Sequence, residues 1–121
     1  MAPDVFVGAN PPYIHIRLRF EPSGPELEVE ALIDTGFDGD ISMPPVTLPP
    51  EVQPVGTHFM TLANGSTARV VVFSGSAEVI AVGEPHEVSI LLGTSEFLVG
   101  RRFTDHFRVT FDHGRQVVVE P

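Results

Sequence analysis

Residues 27–40 read Leu-Glu-Val-Glu-Ala-Leu-Ile-Asp-Thr-Gly-Phe-Asp-Gly-Asp. Leu27, Val29 and Ala31 alternate with Glu26, Glu28 and Glu30, the period-2 pattern of a half-buried strand. The alternation gives way to a continuous apolar step, Ala31-Leu32-Ile33, which should be buried on both sides. Asp34 follows at once. A carboxylate at the end of a buried strand is costly to desolvate unless it is paired. Thr35 can hydrogen-bond locally, and Gly36 permits a sharp turn and close approach of another chain. The plain alternative is an aspartate that merely closes its strand through an Asx-turn.

Upstream, Ile14, Ile16, Leu18 and Phe20 alternate with His15, Arg17 and Arg19, which predicts a partner strand over Tyr13 to Phe20. The stretch Glu21-Pro22-Ser23-Gly24-Pro25 is the turn between the two. Downstream, Pro44, Pro45, Pro49, Pro50 and Pro54 forbid a central strand, so an ordered loop is expected there. Asn64-Gly65 lies between β-prone runs at Thr57 to Leu62 and Thr67 to Phe73, a strong hairpin signal. A second hairpin is expected from Ala77 to Val82, turning over Gly83 to His86 into Val88, Ile90 and Leu92. Phe97-Leu98-Val99 reads as a short buried strand stopped by Gly100. Arg101 to Phe107 reads as about two helical turns with Phe103 and Phe107 on one face. A last hairpin joins Phe107 to Phe111 with Val117-Val118-Val119.

These short strands with one C-terminal helix predict an all-β closed barrel. One domain over 13–121 is expected, preceded by an N-terminal arm over 1–12 that contains Pro3, Pro11 and Pro12.

Composition narrows the functions. Sixteen Asp and Glu against seven Lys and Arg give a net charge of -9, which argues against a nucleic-acid partner held through phosphates. Arg101, Arg102, Arg108 and Arg115 cluster late in the chain, and a solvated face plus one structural ion pair accounts for them. The chain has no cysteine, so disulfides, thiolate metal sites and a cysteine nucleophile are excluded. No apolar run approaches the ~20 residues of a membrane span, and the first residues do not read as a signal peptide. A cytoplasmic protein is expected, with no membrane partner. Asp34, Asp38 and Asp40 fail the spacing of a calcium-binding loop. His15, His58, His86, His106 and His113 show no i,i+4 metal pair. No metal and no cofactor are expected. Asn64-Gly65-Ser66 is formally a glycosylation sequon, read here as turn chemistry.

Asp34-Thr35-Gly36 after two apolar residues, the Asn64-Gly65 hairpin, the following ribbon and Phe97-Leu98-Val99-Gly100-Arg101 ahead of a helix occur in one order. From about Ile14 to Val119 that order resembles the retropepsin-like aspartic peptidases. Asp34-Thr35-Gly36-Phe37 looks like their small bacterial and archaeal branch. The resemblance implies that Asp34 is a catalytic carboxylate, that Thr35 locks two active-site loops together across a dimer, and that Gly36 admits substrate backbone. It implies a substrate cleft lined by Phe37, Asp38 and a flap turn, Ala63-Asn64-Gly65-Ser66. It implies an Asp38–Arg101 pair bracing the loop against the helix, with Leu98-Val99-Gly100 packed behind. A single Asp-Thr-Gly implies a homodimer, because this chemistry needs two carboxylates. Two carboxylates about 3 Å apart share one proton. The expected function is therefore a homodimeric aspartic endopeptidase acting on peptides. The competing reading is the same fold used as a non-catalytic peptide-binding module.

Overall fold

The computed structural model describes residues 4–6, 12–21, 24–61 and 63–121. In chain order the elements are β1 (Asp4–Phe6), β2 (Tyr13–Phe20), β3 (Glu26–Ile33), β4 (Ile41–Met43), a 3-10 turn (Pro45–Thr47), β5 (Gly56–Thr61), β6 (Thr67–Val79), β7 (His86–Leu92), β8 (Leu98–Val99), α1 (Arg101–Thr104), β9 (Arg108–Asp112) and β10 (Gln116–Glu120). The all-β expectation agrees with this architecture.

Strand β2 shows how the pattern becomes structure. Ile14, Ile16, Leu18 and Phe20 are buried in the core, while His15 and Arg19 face outward. Antiparallel pairing sets His15 opposite Glu30, Arg17 opposite Glu28 and Arg19 opposite Glu26. The outer face thus becomes a ladder of opposite charges: Arg17 reaches Glu28 at 2.8 Å and Glu78 of β6 at 2.9 Å, and Arg19 pairs with Glu26. A one-residue slip would turn four core side chains outward and break every rung.

One sheet runs in the order β2-β3-β8-β4-β7-β6-β5, and β2 pairs a second time with β6. The path β2-β3-β8-β4-β7-β6 therefore returns to its first strand, and β5 hangs from β6 outside that ring. Gly75 makes the return possible. A Cβ there would lie 2.2 Å from the Arg19 carbonyl oxygen and 2.9 Å from Ile90 Cδ1. Phe20 and Phe73 meet edge to face inside, with centroids 6.3 Å apart. A second sheet, β1-β10-β9, contributes Val117 and Val119 to the same core, which Phe103 of α1 also enters.

Four local expectations need correction. The two runs expected as separate strands, Thr67 to Phe73 and Ala77 to Val82, belong to one 13-residue strand that stops at Val79. Glycine and serine at 74–76 do not break it, because β7 pairs along them on one side and β2 pairs with Gly75 and Ser76 on the other. The helix closes after one turn instead of two, although Phe103 and Phe107 still touch with ring centroids 5.4 Å apart. Strand β4 was not foreseen: three residues are too few for a periodic signal, yet it sits between β8 and β7 and is fully buried. The stretch 1–12, expected as an arm, supplies β1, which pairs with β10 from Asp4↔Val119 to Phe6↔Val117. Residues 1–3 and 7–11 of that stretch, like Pro22, Ser23 and Leu62, lie outside the described residues.

Arg19 holds the Glu26 carboxyl below its ordinary value of 4.5, chiefly by hydrogen bonding. A depressed carboxyl stabilises the fold above its unfolded value and loses that contribution as the pH falls through the lower folded value. Glu26→Gln is thus expected to lower the melting temperature slightly at neutral pH and to leave a shallower acid loss below about pH 4.5. The exposed pair is screened, so the difference should shrink in high salt. Thermal melts of both proteins from neutral pH into acid, at low and high salt, check this.

Candidate active site

Strand β3 delivers Asp34 to the site. Ile33 is paired with Val99 of β8, and the next amide, Asp34 N–H, donates to the Val99 carbonyl at 2.9 Å. The chain then turns sharply. Gly36 N–H donates to Asp34 Oδ1 at 2.9 Å, and Phe37 N–H donates to the Asp34 carbonyl at 3.1 Å. The plain Asx-turn reading is therefore correct as far as it goes. It leaves a half-buried carboxylate with exposed Thr35 and Gly36 beside it. No cationic side chain among the described residues pairs with Asp34.

The loop is held from behind by the start of α1. The first amides of a helix have no partner within it. Here they donate into the loop: Gly100 N–H to the Asp40 carbonyl at 2.8 Å, Arg101 N–H to Phe37 at 2.8 Å and Arg102 N–H to Gly39 at 3.2 Å. Such an approach requires glycine at position 100. A Cβ there would lie 2.1 Å from the Gly39 oxygen and 2.7 Å from the Phe37 ring. Leu98, Val99 and Gly100 thus stand directly behind the Asp34 loop.

This arrangement changes two expected roles. Asp38 and Arg101 are both exposed and form no ion pair among the described residues. The brace between loop and helix is made by backbone groups, which leave the two side chains free to point outward. Phe37, expected to line the cleft, is only 7% exposed and lies over Gly39 and Gly100. It supports the loop from within.

Asp40 is the residue that sequence reasoning missed. It is 7% exposed, and its Oδ2 accepts the Ser89 amide at 3.0 Å, tying the loop to β7. Its signal was its place directly before the buried run Ile41-Ser42-Met43, where a carboxylate needs a donor. His86 is another such residue. Its Nε2 is buried without a hydrogen-bond partner among the described residues, and its ring stacks on His106 with centroids 4.0 Å apart.

The Ala63-Asn64-Gly65-Ser66 turn caps the β5–β6 hairpin. Asn64 Oδ1 accepts the Ser66 amide at 2.9 Å and the Ser66 hydroxyl at 2.6 Å. One face of the hairpin is exposed, with Phe59 65% exposed and Arg69 placed over its ring, while Met60, Ala68, Val70 and Val72 on the other face are half-buried. Among the described residues no hydrogen bond joins this turn to the Asp34 loop. The structure brings together the 34–40 loop and the 98–102 segment, and leaves Ala63 to Ser66 as a separate, projecting element.

A hollow of about 650 Å³ is lined by Asp40, Ser89, Arg102 and His106 and does not include Asp34. No cluster of three or more His, Asp or Glu that could hold a metal ion occurs among the described residues. No helix among them is long and apolar enough to cross a membrane.

No protein-family model matches the chain, and no curated protein matches it in sequence. The structure is similar to the crystal structure of a retropepsin-like aspartic protease from Rickettsia conorii. The TM-score is 0.56 at 11% identity, over 98% of this chain and 90% of that one. The chain has a retropepsin-like fold.

Gly100→Ala is expected to cost at least about 2 kcal/mol, because backbone atoms, not a flexible side chain, block the new methyl. Gly56→Ala should be nearly neutral by comparison, since its Cβ would meet nothing within 4 Å. Chemical denaturation of the two variants compares them directly.

Proposed function

We propose that this protein is a homodimeric aspartic endopeptidase in which Asp34 supplies one carboxylate from each protomer. One observation carries the reading: an Asx-turned Asp34 with no cationic partner among the described residues, exposed Thr35 and Gly36 beside it, on a loop fixed by α1 within a retropepsin-like fold. The Asp34 carboxylate accepts only the local Gly36 amide among the described residues, whereas the buried Asp40 carboxylate takes its donor from Ser89 on another strand and so ties two elements together.

One chain holds half of the necessary chemistry. When two Asp34 side chains meet on a two-fold axis, they share one proton, and any apparent pKa belongs to the pair. The ionised member takes a proton from a water, which attacks the scissile carbonyl carbon. The protonated member donates to the carbonyl oxygen as its charge develops. Breakdown of the resulting diol returns a proton to the leaving amine. Thr35 tightens the contact between the loops, and Gly36 leaves room for substrate backbone. Asp38 and the Ala63-Asn64-Gly65-Ser66 turn are proposed to flank the bound peptide. A peptide in that cleft is held in extended form by strand addition. Binding without hydrolysis is what the fold would retain if the two Asp34 residues never met.

Asp34→Asn keeps the shape and the Gly36 hydrogen bond while removing the ionisable group. It is expected to lower cleavage of an unstructured protein such as casein by at least about 100-fold, with the melting temperature preserved. Cleavage at the unsubstituted rate would refute the aspartic mechanism.

A further inference from the structure

Beside the Asp34 loop lies a second, smaller groove of about 290 Å³, with Ile33, Phe107 and Phe111 among its apolar residues and Thr35, Arg101 and Asp105 among its polar ones. Phe111, which lines this groove, is 50% exposed. It stands on β9, which ends its sheet and has one edge without a strand partner among the described residues. Arg101 and Asp105 are exposed, and neither forms an ion pair among the described residues.

We propose that this groove is where a second copy of the chain docks. Phe111 of each protomer enters the other's groove, and Arg101 meets the partner's Asp105. The inference rests on the homodimer reading above and assigns its interface.

Charge selects this occupant. The chain carries sixteen acidic and seven basic residues, so two copies repel over most of their surfaces. Arg17 and Arg19 are already engaged with glutamates of their own chain. The groove instead presents one cation and one anion, Arg101 and Asp105, that form no ion pair among the described residues. A two-fold axis brings each opposite the other's complement, so the same patch serves both partners, as an isologous interface demands. Thr35 lines the groove and directly follows Asp34, so an axis at this face draws the two carboxylates toward each other. Burial of Phe111 gives the contact an aromatic anchor with a charged rim.

Charge reversal tests the pairing without measuring cleavage. Sedimentation velocity would be run on the unsubstituted chain, on Arg101→Asp, on Asp105→Arg and on the double variant, with circular dichroism reporting the fold. The unsubstituted chain is expected to be a dimer. Each single reversal places like charges together at both symmetric contacts and should weaken the dimer by about 100-fold or more. The double reversal restores complementarity and should recover the dimer. Phe111→Asp alters an exposed ring, folds, and should be monomeric even if a single reversal fails to fold. A monomeric unsubstituted chain, single reversals as dimeric as it, a double variant no tighter than the singles, or a dimeric Phe111→Asp would each overturn the interface. A dimer indifferent to these changes rejects this face and leaves the peptidase reading intact, whereas cleavage that survives Asp34→Asn rejects that reading and leaves this face intact.

Discussion

Three amides at the start of α1 donate into the carbonyls of Phe37, Gly39 and Asp40, and the rest of the site is arranged around that contact. Helix amides need partners from outside the helix, and a loop of irregular backbone needs donors for its carbonyls. Each segment satisfies the other. Gly100 makes the distance possible, Phe37 fills the space beneath, and the buried Asp40 carboxylate fastens the loop's far end to β7. The Asp34 carboxylate is then held between paired elements on both sides, which would suit the proposed meeting with a second Asp34, where there is little freedom to adjust.

The ring of strands supplies the frame for this contact. Ile33 and Val99 lie side by side because β3 and β8 are parallel neighbours, and the segments that continue from them are the loop and the helix. Their register depends in turn on β2, whose alternation fixes β3 through core burial on one face and opposite charges on the other. Strand β6 then closes the ring where Gly75 lets β2 approach. The β5–β6 hairpin grows out of the same strand but leaves the core, so its exposed Phe59 and its Asn64-Gly65 turn have little to hold them within one chain. The parts described as site are therefore of two kinds: a braced loop, and a projecting hairpin that the brace does not reach.

Long, periodic elements were legible in the sequence. The β2–β3 pair, the Asn64-Gly65 hairpin and the last hairpin each combine alternation with turn chemistry, and the structure has all three. Asp34 was legible as an aspartate ending a buried strand. What escaped was short or non-local. Strand β4 has three residues and owes its place to neighbours far along the chain. The Asp38–Arg101 pair was expected from a resemblance, but backbone groups do that work here. Asp40 was weighed in the sequence only as a calcium ligand, and the donor that gives it a structural role, Ser89, lies 49 residues away. Phe37 sits next to a candidate catalytic loop, and only packing shows that it faces inward.

Under the proposed mechanism, Asp34 is half of a site completed by a second copy. A crystal structure of the dimer that exists in solution measures this directly, as the separation between the two Asp34 carboxylates. The two are expected to face each other across a two-fold axis about 3 Å apart, the spacing at which two carboxyl groups share a proton. A dimer with its Asp34 residues far from the axis, each open to solvent, would contradict it.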